Sequence, residues 1–187
     1  MKRTDVSLIP LAAEDREQFI LDNQWAFKHG AMIEFGERDD HIDESGEIIS
    51  RETIEGCIDE KGNEAYRIVC DGRNVGGVVL KIDEKTHHNH LELLFVSPEE
   101  HSRGIGYGAW QAVEALHPET LVWETCTPYF EKRNIHFYVN KCGFHIVEFY
   151  NEFNRDPNDP EEDSHDEGPD EMFRFVKVMK DACEKTL

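Results

Sequence analysis

The residue types that most directly suggest chemistry lie between Val96 and Gly108, which reads Val96-Ser97-Pro98-Glu99-Glu100-His101-Ser102-Arg103-Gly104-Ile105-Gly106-Tyr107-Gly108. Glycine has no Cβ, so backbone N–H groups in such a stretch can close on an anion. A helix that opens at Gly104 adds unsatisfied N–H donors and a favourable dipole, which makes a pyrophosphate a natural ligand. Arg103 contributes a fixed positive charge to an otherwise acidic chain. Gly104, Gly106 and Ala109 also satisfy the dinucleotide fingerprint G-x-G-x-x-A. In a dinucleotide-binding turn, however, the first glycine almost directly follows its strand. Here the seven residues SPEEHSR intervene and antiparallel strands precede them, so a nucleotide-dependent oxidoreductase is the weaker reading.

Other reactive side chains carry less. His87, His88 and His90 fall on a turn with no second ligand group at a useful spacing, so no metal is expected there. Cys126 and Cys142 have no His with Asn or Asp in a recognisable order nearby, which makes them buried thiols rather than nucleophiles. The five cysteines, an odd number without Cys-x-x-Cys spacing, indicate neither a disulfide framework nor a zinc ribbon. Trp25, Trp110 and Trp123 stand at positions compatible with core packing.

The elements that must position these groups follow from periodicity. Ser7 to Leu11 reads as a short strand, and Glu14 to His29 as a helix with Phe19, Ile20, Ala26 and Phe27 on one face, ended by Gly30. A shorter helix spans Ser50 to Ile58. Ala65–Cys70 and Val75–Ile82 flank an Asp71-Gly72 turn, a hairpin signal, and the largely apolar His90–Val96 follows as a central strand. The helix from Gly104 to about Leu116 then leads to the strand Thr120–Thr125. A helix from Glu131 to Cys142, a strand from Phe144 to Glu152 and a last strand from Met172 to Met179 complete an α/β domain. It is built on a central mixed sheet of about six to seven strands flanked by helices.

At 187 residues the chain is expected to form a single domain, residues 1–187. No segment approaches the ~18 apolar residues of a membrane span, so a soluble, cytoplasmic protein with no membrane partner is expected. The net charge of −20 is concentrated. Residues 34–60 hold 11 acidic and 2 basic residues, a net −9, and residues 151–171 hold 10 acidic and 1 basic, again −9. Such a field repels phosphate backbones, so no nucleic-acid partner is expected. Asn154 to Asp170 is of low complexity and reads as a long mobile loop.

Val96-x-Pro98, five residues and then Gly104-Ile105-Gly106, after an apolar strand, closely resembles the coenzyme A loop of the GNAT acetyltransferases. Asn134-Ile135-His136-Phe137-Tyr138-Val139-Asn140-Lys141-Cys142-Gly143-Phe144 resembles that family's next helix, which ends in a tyrosine, a short spacer and Gly-Phe. The two motifs stand in the family's order, and the resemblance covers roughly Ala65 to Met179. It implies the GNAT-like acyl-CoA N-acyltransferase fold. Residues 1–60 would form variable acceptor-side helices, 65–152 the core with the coenzyme A loop, 153–171 an acidic loop and 172–180 the last strand. Two positions depart from the pattern. His101 stands where the family has Arg or Gln, and Tyr138 lies five residues before Gly143 rather than four. One helical residue is a rotation of about 100°, so the hydroxyl reaches the usual place only if the helix carries a compensating irregularity.

The resemblance further implies direct transfer of acetyl from acetyl-CoA, as cosubstrate and without a metal, to a primary amine. It assigns Leu94, Phe95, Val96, His101, Ser102, Arg103, Gly104, Ile105, Gly106, Tyr107, Gly108 and Asn134 to coenzyme binding. Glu92 becomes the candidate general base, sharing a strand face with Leu94 and Val96, and Tyr138 the candidate acid for the leaving thiolate. In the family the acceptor enters beside the two segments that are acidic here, so a cationic acceptor is expected, a small molecule or a peptide amine. The resemblance leaves a homodimer open. The alternative from another class is a catalytically silent coenzyme A or acetyl-CoA binding module, a sensor or scaffold; His101 and the displaced Tyr138 favour it.

Overall fold

A computed structural model of the chain describes residues 5–35, 46–101, 103–157 and 171–179. Seven strands and four α-helices occur among them. The chain packs as two compact units, Met1–Thr120 and Leu121–Leu187.

In the first unit, β1 (Val6–Pro10), β2 (Asn63–Cys70), β3 (Arg73–Lys81) and β4 (His88–Val96) pair in that order, each antiparallel to the next. The β2–β3 hairpin closes through Asp71 and Gly72, both at positive φ (51° and 73°), with Cys70 opposite Arg73. Two consecutive positive-φ residues are the mark of a tight two-residue hairpin turn. Apolar side chains cover both sheet faces. Phe19, Ile20 and Ala26 of α1 (Arg16–Phe35) and Ile54 of α2 (Arg51–Asp59) pack with Val79, Leu93 and Phe95. On the opposite face Ile105 and Ala109 of α3 (Ile105–Leu116) pack with Ile68, Cys70 and Val75, against which Leu94 and Val96 rest. Ser50 caps α2, its hydroxyl accepting from Thr53 N at 3.0 Å.

In the second unit, β5 (Val122–Pro128) and β6 (His145–Tyr150) flank β7 (Met172–Val178), both antiparallel to it. Between β5 and β6 runs α4 (Lys132–His136), which passes directly into a π-helical segment, Phe137–Cys142.

Three local expectations are corrected. Gly30 does not end the first helix, which continues to Phe35. Glycine ends a helix by adopting positive φ, and Gly30 does not, while the next residue, Ala31, is buried and a good helix former. Trp110 and Trp123 are core residues, but Trp25 is half exposed, beside His29 one turn on. Cys142 is buried as expected, whereas Cys126 is exposed. Most of the low-complexity stretch, residues 158–170, lies outside the described residues, as does Cys183.

Candidate active site

The loop after β4 is shaped by its own hydrogen bonds. Ser97 N donates to Val75 O at 2.8 Å, tying the loop's start to β3. Pro98–Glu100 then make a 3₁₀ turn, and a His101 ring nitrogen lies 2.9 Å from Val96 O. The His101 ring thus folds back on the strand end. Gly104 is the N-cap of α3 at φ 77°, with nothing within 4 Å of the position a Cβ would take. Glycine adopts this left-handed conformation without strain, and the open space leaves room for a ligand. Gly108 N donates to Gly104 O at 2.9 Å, the first bond of the helical ladder. The amides of Ile105, Gly106 and Tyr107 therefore precede that ladder at an exposed helix start, the arrangement that takes an anion. Ile105 itself is buried, Tyr107 and Arg103 are exposed, and Gly108 packs on Val6 of β1. Ser102 lies outside the described residues.

Arg103 is not an isolated cation. Its Nη1 pairs with Glu100 Oε2, and Nη2 of Arg73 lies 3.0 Å from Glu100 Oε1. The Glu100 side chain is only 11% exposed. Sequence reasoning missed both Arg73 and Glu100. The i,i+3 spacing of Glu100 and Arg103 hints at their pairing, but nothing local links either to Arg73, on another strand.

At the end of β4, Leu94, Phe95 and Val96 stand opposite Val78, Gly77 and Gly76 of β3. The Phe95 ring meets Phe19 edge-on with centroids 5.1 Å apart. A Cβ on Gly76 would lie 2.2 Å from Phe95 O, so the two strands approach as only glycine permits.

The register places Glu92 on a bulge, because Val79 pairs with Leu93 while Leu80 pairs with Leu91, leaving Glu92 as the extra residue. A bulge re-aims side chains and breaks the alternation. Leu94 and Val96, beyond the bulge, pack towards α3. Glu92 acts electrostatically on Cys57 of α2 and on Lys81, and Cys57 belongs to the cluster of Leu93 and Phe95 on the other face. Burial, reinforced by the nearby Glu92 charge, pushes the Cys57 thiol pKa up. Lys81 donates to Glu60 at 2.5 Å, the main cause of its raised pKa. A half-buried carboxylate thus lies within electrostatic reach of Cys57 on α2.

The second unit holds Tyr138 and Asn134. Tyr138 is the second residue of the π segment, and Gly143, at φ 80°, donates its N–H to Tyr138 O five residues back. Phe144 N donates to the same carbonyl at 3.0 Å. The wider π turn accommodates one extra residue in the helix, which is the irregularity that the five-residue spacing requires. The Tyr138 ring packs among Phe137, Phe144 and Phe175, and its hydroxyl hydrogen-bonds Thr125 of β5. Burial raises the phenol's pKa well above its ordinary value, with the Thr125 bond opposing. Asn134 Nδ2 donates to the Thr127 hydroxyl at 3.5 Å, on the same strand as Thr125.

The acidic segment 34–60 is partly neutralised within the chain. Glu47 pairs with Lys28, Glu55 with Arg51, Asp59 with Arg16 and Glu60 with Lys81. Residues 36–45, with five of its acids, lie outside the described residues. Among the described residues no group of three or more His, Cys, Asp or Glu could hold a metal ion, and no helix is long and apolar enough to cross a membrane.

Comparison with known proteins agrees with this architecture. YrkN of Bacillus subtilis (strain 168) is 48% identical over 178 residues, covering 92% of this chain and 94% of that protein. The PaiA N-acetyltransferase of Thermoplasma acidophilum, solved with coenzyme A, matches the fold with a TM-score of 0.64 at 18% identity, over 94% of this chain and 99% of that one. The spermidine N-acetyltransferase of Vibrio cholerae, solved with CoA and spermine, matches with a TM-score of 0.62 at 13% identity, over 92% and 95% of the two chains. Identities this low establish shared fold alone. The sequence itself matches the Acetyltransferase (GNAT) family across residues 20–144, from the first helix through Phe144 at the end of the tyrosine motif, and on that extent the chain belongs to the GNAT acetyltransferases.

Proposed function

We propose that the chain is an N-acetyltransferase that moves acetyl from acetyl-CoA directly to a primary amine of a cationic acceptor. The observation that carries the proposal is the bulge at Glu92, where a half-buried carboxylate lies within electrostatic reach of α2, the family's acceptor side.

Acetyl-CoA supplies an activated thioester. The fit of this chain to the coenzyme rests on the open, positive-φ Gly104 and on the amides of Ile105, Gly106 and Tyr107 ahead of the first ladder bond. The backbone of Leu94 to Val96 would hold the pantetheine arm. Glu92, directly or through water, takes the proton that the acceptor ammonium must lose before its nitrogen can bond the acetyl carbon. As the carbon–sulfur bond breaks, Tyr138 supplies a proton to the sulfur, and the second proton, lost by the nitrogen as it becomes an amide, restores the phenol. Burial keeps that phenol protonated at working pH, and the same dry surroundings raise the proton affinity of a thiolate.

A cationic acceptor is supported by the net charge of −20 and by the presence of a spermidine N-acetyltransferase among the fold's neighbours.

The test is thiol release from acetyl-CoA with a panel of polyamines, aminoglycosides and basic peptides, alongside calorimetric coenzyme binding. Turnover with a cationic amine, with a KM that rises with salt, is the expected result. Coenzyme binding without turnover on any amine would replace the enzyme by the silent binding module.

A further inference from the structure

We infer that Arg73, at the tip of the β2–β3 hairpin, is a second phosphate ligand for the coenzyme, held beside Arg103 by the buried carboxylate of Glu100. The inference rests on the coenzyme reading above and adds to it a residue from outside the loop.

The β2–β3 turn is tight, since Asp71 and Gly72 both take positive φ and Cys70 pairs with Arg73, so Arg73 is the first strand residue after the turn. The hairpin reaches the loop, because Ser97 N bonds Val75 O and Gly76 packs against Phe95 O and the Cα of Val96. Glu100 then joins two elements. Oε1 lies 3.0 Å from Arg73 Nη2 as an ion pair, and Oε2 pairs with Arg103. The carboxylate is nearly buried, while the arginine side chains are 61% and 50% exposed.

A guanidinium has five N–H donors in a fixed fork. With Glu100 occupying only part of each fork, both arginines keep donors for an outside acceptor, and the carboxylate spends its two oxygens on holding them. The trio carries one net positive charge in a chain of net −20. Arg103 immediately precedes Gly104, the N-cap of α3, so the paired guanidiniums stand beside the amides that open the helix. A phosphate group is the ligand that both the planar forks and the helix start recognise. Arg73 thereby makes up for the cation that His101 does not supply at the head of the loop.

The experiment compares wild type, Arg73→Ala and Arg73→Lys for calorimetric binding of coenzyme A, dephospho-coenzyme A and pantetheine, with thermal unfolding on each sample. Loss of one exposed charge-assisted contact corresponds to about a tenfold weaker coenzyme A affinity. Arg73→Ala should show that loss, Arg73→Lys should recover part of it, and pantetheine binding should not change. A loss that persists with dephospho-coenzyme A assigns Arg73 to the diphosphate, and one that vanishes assigns it to the 3′-phosphate; both support the inference. Unchanged coenzyme A affinity in Arg73→Ala, or an equal loss for pantetheine, overturns it while leaving the coenzyme reading intact. A wild-type protein that binds no coenzyme A overturns both.

Discussion

The amide of Gly143 donates to the carbonyl of Tyr138, five residues back, where an α-helix would join residues four apart. That single bond reconciles an irregular spacing in the sequence with a tyrosine whose hydroxyl meets Thr125 in a dry, aromatic setting. Deleting the exposed Asn140 should convert the π segment into a regular turn and leave Tyr138 in place. The expected result is a folded protein with an unfolding midpoint equal to or above that of the parent. Tyr138→Phe should lower turnover without changing coenzyme affinity, and normal turnover would remove Tyr138 from the proton path.

Arg67 bonds Asp15 at 2.5 Å and Asp22 at 2.7 Å, and its guanidinium lies 5.2 Å from the centre of the Phe19 ring. The arginine is almost wholly buried, while the two carboxylates are about a third exposed or less. Arg67→Ala leaves two unpaired carboxylates against the core at a cost of about 2–4 kcal/mol, below the full penalty of a buried pair because water reaches the acids. Chemical denaturation should show that loss. A change within about 0.5 kcal/mol would mean that the triad holds nothing together.

Gly76→Ala would set a methyl group 2.2 Å from a backbone oxygen, which cannot swing away as a side chain can. Separation of β3 from β4 should cost about 3 kcal/mol. The lost pairing lies at Val96, where the loop begins, so coenzyme affinity should fall with the melting temperature. An unperturbed melting temperature would show that the strands can move apart freely.

The Asp83 carboxylate accepts from Lys85 N at 2.8 Å and Thr86 N at 3.1 Å in the turn between β3 and β4. These backbone bonds hold its pKa below the ordinary carboxylate value. A depressed folded-state pKa means stabilisation present above about pH 4 and lost as pH falls through the folded value. Asp83→Asn should therefore be less stable than the parent at pH 7, with the gap closing towards pH 2. A constant gap across that range would show that the carboxylate's charge plays no part.

Apolar patterning marked nearly every element, because helices bury one apolar stripe, as Phe19, Ile20 and Ala26 do on α1, and central strands such as β3 read as apolar runs buried on both faces. The loop at Gly104 and the anomaly at Tyr138 were also legible, since both rest on spacing along a few consecutive residues. What spacing could not reveal depends on partners distant in sequence. The bulge at Glu92 is set by pairing with β3, and it interrupts the strict alternation read from the sequence. The arginine clamp joins residues 73, 100 and 103 through a carboxylate that looks like one acid among 40. Exposure of Cys126 and Trp25 likewise follows from which neighbours cover them, which residue type alone does not determine.

Glu92 is proposed to take the acceptor's proton in the acetyl transfer. The measurement that tests it most directly is the turnover number of Glu92→Gln against the parent across pH 6 to 9, with the best amine from the panel and saturating acetyl-CoA. Turnover is expected to fall by about 10²- to 10⁴-fold near neutral pH with coenzyme affinity unchanged. A variant that matches the parent in rate and pH profile would contradict it.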